Sequence, residues 1–334
     1  MNAGSRDGAV AEYRCGYITL IGRPNVGKST LLNRLLGQKI SITSRRPQTT
    51  RWQLLGVATG PRHQALYIDT PGIQTRYGSA LNRHMLREAV ETLERVDLVL
   101  FVIEALKWTP GDRHVAALLG KADVPILMVI NKIDKLGDKK ELLPFMQRLS
   151  ADADDYEMIP VSARTGENLD RLKNRVIERL PVNPPVYPDD AITDRNQRFL
   201  AAEFIREKLT RKLGGELPYQ LTVTIDEFVE EENIIRINAI IWITARSQKA
   251  IVIGKDGAVL KAVGEQARAE MEELFGKKVY LNTWVKVKRK WTEDESALRQ
   301  LGYTGGSTGE RGCPQESITF PVSSSTTGPT ARPA

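Results

Sequence analysis

The sequence predicts an α/β fold in two units: a first with a mostly parallel sheet covered by helices on both faces, and a smaller α+β unit behind it. Three observations predict it. The runs "YITLI", "DLVLFVI" and "VPILMVI" are of strand length and continuously apolar, as strands covered on two faces are. Between the halves, "LPVNPPVYPDD" carries Pro181, Pro184, Pro185 and Pro188, which disfavour helix and strand alike and mark a semi-rigid linker. Beyond it the pattern changes to one long helical stretch, "QRFLAAEFIREKLTRKLGG", read as amphipathic with a glycine stop, then two hairpin-like strands, "YQLTVTIDEFV" and "NIIRINAIIWIT". At 334 residues the chain is long enough for two cores.

"YITLI" runs into Gly22-Arg23-Pro24-Asn25-Val26-Gly27-Lys28-Ser29, the spacing Gly-x-x-x-x-Gly-Lys-Ser. Glycine at both ends lets successive backbone N–H groups curl around a polyphosphate. Lys28 is expected to reach the outer phosphates, the Ser29 hydroxyl to ligate Mg²⁺, and the following helix, "STLLNRLLG", to aim its positive end inward. This is a P-loop. The net charge of +7 lies wholly within residues 1–188, and residues 21–51 hold Arg23, Lys28, Arg34, Lys39, Arg45, Arg46 and Arg51 with no acid, so a polyanion is expected there.

The strand-like "QALYI" ends in Asp69-Thr70-Pro71-Gly72. Ligands of open α/β sheets lie at the carboxyl ends of strands, so Asp69 is expected to face the same cleft as Lys28 and hold Mg²⁺ through water, while Gly72 approaches a third phosphate. "VPILMVI" ends in Asn131-Lys132-Ile133-Asp134. The Asp134 carboxylate can accept two hydrogen bonds from N1–H and the 2-amino group of guanine, which adenine does not offer, so GTP is favoured over ATP. Asn131 is expected to tie this loop to the P-loop, and the Lys132 stem to lie along the base. After "EMIPV", the backbone of Ser162 and Ala163 is expected at the guanine carbonyl.

Other features exclude function classes. Cys15 and Cys313 fit neither a disulfide framework nor a metal spacing, and His63, His84 and His114 have no paired ligand spacing, so no transition-metal chemistry is expected and a reduced compartment is. No run reaches the roughly 18 apolar residues of a membrane span, and "MNAGSRDGAVAEYRC" lacks a signal-peptide core; a soluble, cytoplasmic protein is expected.

With "GRPNVGKSTLLN", "SITSRRPQTTR", "DTPG", "NKID" and "VSA" in this order, the chain from about Tyr13 to Tyr303 resembles the Era family of bacterial GTPases, which pair a P-loop G domain with a C-terminal α+β KH domain. The resemblance implies that "QTTRW", Gln48 to Trp52, is the first switch, with Thr49 or Thr50 closing over Mg²⁺ and the γ-phosphate; Thr50 is favoured. Lys28, Thr50 and Asn25 are then the residues expected to assist hydrolysis. Asn25 matches the asparagine that helps hold K⁺ near the phosphates in related enzymes. Ile73 stands where Ras-like GTPases carry a water-orienting glutamine; it has no polar atom, so slow intrinsic turnover is expected.

In the second unit, Gly254-Lys255-Asp256-Gly257 is a Gly-x-x-Gly turn opening a helix, of the kind that brings N–H groups against a nucleic-acid backbone beside an apolar groove. The flanking "IVI" reads as a strand, and with the long helix and the basic strand "VYLNTWVKVKRK" it matches the family's β-α-α-β order. RNA contacts are expected from Ile253, Gly254, Lys255, Asp256, Gly257, Lys286 and Lys288. The resemblance implies the 3′ end of 16S rRNA and the 30S subunit as partners, with GTP controlling the RNA-binding state. A competing class is a peripheral inner-membrane or cell-cycle scaffold; no basic amphipathic helix with a large aromatic face favours it. The expected boundaries are a flexible 1–15, a G domain at 16–182, a linker at 183–192, a KH domain at 193–303 and a Gly, Ser, Thr and Pro-rich tail at 304–334 that departs from the family and is read as disordered.

Overall fold

The computed structural model describes residues 12–44, 46, 49–73, 80–152, 156–301 and 303. Gln48, Cys313, the expected flexible segment before residue 12 and the expected tail from residue 304 lie outside the described residues.

The first sheet has six strands in the order β2-β3-β1-β4-β5-β6. They are β1 (Arg14–Ile21), β2 (Leu54–Gly60), β3 (His63–Asp69), β4 (Leu98–Glu104), β5 (Ile126–Asn131) and β6 (Glu157–Pro160). β2 runs antiparallel to β3; every other pairing is parallel, and β1 begins two residues before the expected domain start. Among the described residues, five helices cover the sheet: α1 (Lys28–Leu36), α2 (Ala80–Leu93), α3 (Pro110–Leu119), α4 (Leu142–Asp152) and α5 (Leu169–Arg179).

β4 shows why the strand runs are continuously apolar. Leu98, Leu100 and Val102 pack with Leu31 and Leu35 of α1 and Leu172 and Val176 of α5. Val99, Phe101 and Ile103 point the other way, onto Ala89 of α2, Val115 of α3 and Phe145 of α4. All six of these β4 residues are fully buried, each burial stabilising by about 1.5–3 kcal/mol, and this holds the strand ends in fixed register. Leu20 pairs with Asp69 and Glu104 with Asn131, so the polar residues at these ends share one edge.

The proline-rich stretch lies against this domain. Gln64 Oε1 accepts from the Val186 and Tyr187 N–H groups at 2.8 and 2.9 Å, and Val57 N donates to Ile192 O at 2.8 Å. The second unit follows as α6 (Gln197–Lys212), β7 (Thr222–Glu230), β8 (Ile234–Ile243), α7 (Gln248–Ile253), α8 (Ala258–Phe275), β9 (Lys278–Val287) and α9 (Glu295–Gln300). Its sheet has the order β7-β8-β9, antiparallel then parallel.

Two expectations are corrected here. "IVI" is the end of α7, not a strand: Val252 is buried while Ile251 is exposed, and three apolar residues carry no period that separates helix from strand. Nor is α6 simply amphipathic. Glu203, Arg206, Glu207, Lys208 and Thr210 are buried along with its apolar residues, because the helix is enclosed between the first unit and the rest of its own, and its charges pair with one another and with Lys39 and Glu270. It ends at Lys212, with Leu213 extended ahead of Gly214 and Gly215. Among the described residues no helix is long and apolar enough to cross a membrane.

Candidate nucleotide and RNA sites

The loop from Gly22 to Ser29 turns from β1 into α1. Asn25 and Gly27 take positive φ values of 66° and 105°. A Cβ on Gly27 would stand 2.3 Å from Asn131 Nδ2, so glycine is required where the two loops cross. That Asn131 amide donates to Val26 O at 2.9 Å, and its Oδ1 accepts from the N–H groups of Lys132 and Ala163 at 2.8 and 3.0 Å. One side chain thus joins the phosphate loop to both base-side loops. The Lys28 ammonium donates to Gly22 O and Arg23 O at 3.1 and 3.2 Å, and burial lowers its pKa to about 8 against the pull of Asp69.

Asp69 is fully buried. Its Oδ2 accepts from Ser29 Oγ at 2.7 Å, Ser41 Oγ at 2.7 Å and Thr50 Oγ1 at 3.4 Å, and the Ser29 and Thr50 hydroxyls are 2.9 Å apart. Its Oδ1 is buried without a hydrogen-bond partner. A buried carboxylate oxygen left over beside two hydroxyls is the hard, all-oxygen donor set that Mg²⁺ takes, so the residues fit that ion. Burial raises the Asp69 pKa, while Lys28 and the three hydroxyls oppose it. Thr49 turns away: its Oγ1 donates to Arg46 O at 2.8 Å.

At the base end, Asp134 accepts from Ser162 Oγ through Oδ1 at 2.6 Å and pairs with Arg164 through Oδ2 at 2.8 Å. Lys132, at a φ of 69°, donates to Asn25 O at 2.5 Å and pairs with Glu104 at 2.6 Å. Burial would raise the Glu104 pKa, but hydrogen bonds from Lys107 and Lys132 outweigh it and bring it down to about 2.

Several expected nucleotide residues face inward. The Ser162 N–H donates to Glu167 O and the Ala163 N–H to Asn131, Val26 packs in the core, and the Thr70 hydroxyl donates to Leu20 O at 2.8 Å. Gly72 backs onto the P-loop, where a Cβ would stand 2.8 Å from Pro24 N, and Pro71 precedes it as a buried residue. Ile73 is 4% exposed in the core. Most of the basic cluster is also engaged by protein. Arg23 pairs with Asp112, Arg34 donates to Ala163 O and Arg164 O, Lys39 pairs with Glu207 and Glu270, Arg46 donates to Leu213 O, and buried Arg51 donates to Leu221 O and Pro218 O. Their acidic and carbonyl partners are distant in sequence, so a local charge count overstates the field available to a polyanion; Arg45 lies outside the described residues.

In the second unit, Gly254, Asp256 and Gly257 have positive φ values of 77°, 51° and 77° between α7 and α8. Lys255 and Asp256 are exposed, Ile253 is half-buried, and Ile251 is 58% exposed beside the turn. Lys286 and Lys288 are not brought to this turn. Their ammonium groups lie 6.0 and 5.9 Å from the Trp242 ring centroid, whereas Ile241 and Ile243, pointing the opposite way, pack among the helices. Lys288 also donates to Gln300 Oε1 at 2.6 Å. The sequence reading missed Glu104 and Arg206, which no local motif marks; it quoted Ser41 within "SITSRRPQTTR" without giving it a role, and it counted Arg51 toward a polyanion where the structure turns it onto protein carbonyls.

A Mg²⁺-dependent P-loop GTPase joined to a KH domain is the class that this fold and site define. The family profile described as "50S ribosome-binding GTPase" matches residues 17–132, and the KH-domain profile matches 216–292. The chain is 51% identical over 290 residues to the GTPase Era of Ectopseudomonas mendocina, covering 87% of this chain and 97% of that protein. It is 50% identical over 297 residues to the GTPase Era of Pseudomonas aeruginosa, covering 89% and 97%. Among solved structures, Era in complex with MgGDPNP and nucleotides 1506–1542 of 16S rRNA superposes with a TM-score of 0.84 at 39% identity, over 87% of this chain and 99% of that one. A point variant of Aquifex aeolicus Era bound to GDP·AlF₄⁻ superposes with a TM-score of 0.84 at 38% identity, with the same coverage. The chain therefore belongs to the Era family of GTPases: it binds GTP and GDP with Mg²⁺ and hydrolyses GTP.

Proposed function

We propose that this chain is a GTP-driven switch that binds the 3′ end of 16S rRNA through its KH domain and serves biogenesis of the 30S subunit. The observation that carries the switch is the Arg206 guanidinium of α6 donating to the Thr49 carbonyl at 2.5 Å, next to the hydroxyl of Thr50 at the phosphate site. The RNA reading rests on the Gly-x-x-Gly turn and on the relative that was solved with 16S rRNA.

In this reading the P-loop amides and Lys28 hold the β- and γ-phosphates, Asp134 reads guanine, and Ser29, Thr50 and Asp69 would hold Mg²⁺. That ion supplies neutralisation of phosphate charge when bound. Thr50 is preferred to Thr49 because only its hydroxyl meets Ser29 and Asp69. The exposed Asn25 side chain stands at the phosphate edge, where K⁺ would supplement the missing polar group at Ile73. Ser41 fixes the Asp69 carboxylate; Asn33 holds Ser41 in turn, its Oδ1 accepting from Ser41 N at 2.9 Å. Domain limits near residues 14–182 and 193–303, and a cytoplasmic setting, belong to the same reading. RNA titrations of the full chain with a GTP analogue, with GDP and without nucleotide test it. Affinity for a 16S 3′-end oligonucleotide should depend on the nucleotide, and equal affinity in all three states would reject the switch. Cosedimentation with liposomes in the absence of RNA would instead support the peripheral-membrane alternative.

A further inference from the structure

The geometry points to Arg206 as a positioning residue for GTP hydrolysis, supplied to the nucleotide site from the helix that opens the second unit. Its side chain is 1% exposed. Nε and Nη2 donate to the two Glu203 carboxylate oxygens at 2.7 and 2.6 Å, and Nη2 also donates to Thr49 O at 2.5 Å. That carbonyl belongs to the peptide unit that leads into Thr50. Fixing it fixes the plane from which Thr50 departs, and the Thr50 hydroxyl then meets Ser29 Oγ at 2.9 Å.

The next residue holds the chain ahead of the switch, at Thr43. Glu207, with a fully buried side chain, accepts from Thr43 N at 2.8 Å and Thr43 Oγ1 at 3.2 Å, and is neutralised by Lys39, Lys208 and Arg211. The first switch is therefore pinned at Thr49, and the chain leading into it at Thr43, by consecutive residues of one helix outside the first sheet. Arg206 is suited to this task because its planar fork engages a carboxylate and a carbonyl together; a lysine ammonium on a flexible stem does not reproduce that geometry. A guanidinium buried this completely needs its carboxylate partner, which Glu203 provides.

The inference rests on the assignment of Thr50 proposed above, and the test separates the two. Full-length Arg206→Lys, Thr50→Ala and the double variant are compared by kcat, by the Mg²⁺ concentration that half-saturates binding of a fluorescent non-hydrolysable GTP analogue, and by thermal melting. Removing an outer partner of a metal ligand commonly costs about 10- to 100-fold in affinity or activity. Arg206→Lys should lower kcat and raise the half-saturating Mg²⁺ by about tenfold each, at the low end of that range. Because Arg206 acts through Thr50, the double variant should be no worse than Thr50→Ala.

Losses that multiply, or a folded Arg206→Lys with kcat and Mg²⁺ requirement unchanged, would overturn the role of Arg206 while leaving Thr50 in place. A Thr50→Ala variant with both quantities unchanged would instead overturn the Thr50 assignment and this route with it. Should Arg206→Lys melt below the assay temperature, the neutral pair Glu203→Gln with Arg206→Gln takes its place in the same cycle.

Discussion

Trp52 and Tyr303 stack with ring centroids 4.1 Å apart and planes 13° from parallel, joining the end of the first switch to the end of the KH domain. The Tyr303 hydroxyl also lies 3.2 Å from Arg51 Nη1 and 3.0 Å from Thr222 Oγ1, and Trp291 stacks on its ring at 5.7 Å. Buried Leu81 and Met85 of α2 complete this cluster, so residues on both sides of "DTPG" are tied to the second unit.

Tyr303→Phe should cost about 1 kcal/mol through the lost hydroxyl bonds, and Tyr303→Ala about 3–5 kcal/mol through the cavity. Urea unfolding followed by tryptophan fluorescence would measure both. Equal, negligible shifts would show that this cluster does not hold the domains together.

The nucleotide site was legible because each motif is short and ends a strand: the P-loop, Asp69, Asn131 and Ser162 declare themselves within a few residues, and burial of β4 on two faces fixes where they meet. The links between the units were not legible. Arg206 meets Thr49, Lys39 meets Glu270 and Arg51 meets Leu221 only after both units fold, and nothing local distinguishes these cations from solvated ones. The same limit applies to α6, whose sequence reads as a half-exposed helix until the first unit, through Thr43, Thr49 and Lys39, covers its charged side. For the basic residues at the end of β9 the sequence shows the shared face but not which way it points. Lys286 and Lys288 share a sheet face, but that face is opposite the one on which the Gly-x-x-Gly helices pack.

Glu104 makes stability depend on pH in a defined window. Its pKa falls from an ordinary 4.5 to about 2 on folding, so between these values the unfolded chain binds more protons and stability rises with pH. The stabilisation is present above pH 4.5 and lost as pH drops through about 2. The melting temperatures of wild type and Glu104→Gln should differ at neutral pH and converge as pH falls through this window. A gap that persists unchanged to the acid end would place the effect in packing, not charge.

Asp134→Asn should lower GTP affinity and shift preference toward xanthosine triphosphate, because an amide then faces the purine edge. Losing hydrogen bonds to a charged acceptor is worth about 1.5–3 kcal/mol each, so GTP should weaken at least about tenfold. Competition binding measures this directly. Unchanged preference for GTP would reject Asp134 as the reader of the base.

Hydrolysis should be faster in K⁺ than in Na⁺, and Asn25→Ala should abolish the difference. The Asn25 backbone carries a φ of 66°, which alanine tolerates at a cost of about 1–2 kcal/mol, so GDP affinity must be measured alongside to show that the loop survives. Equal rates in both salts for the wild type would remove the cation role and leave GTP binding untouched.

Replacing Lys255 and Asp256 tests whether the two halves are coupled or merely share a chain. Both side chains are exposed on the turn between α7 and α8, so alanines there should weaken binding of a 16S 3′-end oligonucleotide and leave GTP affinity without RNA unchanged. Asp256 has a φ of 51°, and substituting glycine there in a second variant avoids the strain that alanine would add. Coupling is reciprocal: if GTP strengthens RNA binding, RNA must strengthen GTP binding by the same factor, commonly about 5- to 150-fold. In the wild type the two factors, measured by separate fluorescence titrations, should agree. In the variant the RNA titration weakens, but the coupling factor should persist, because the contacts from α6 to Thr43 and Thr49 are intact. Loss of coupling along with RNA affinity would mean that the signal passes through the Gly-x-x-Gly turn itself and not through α6.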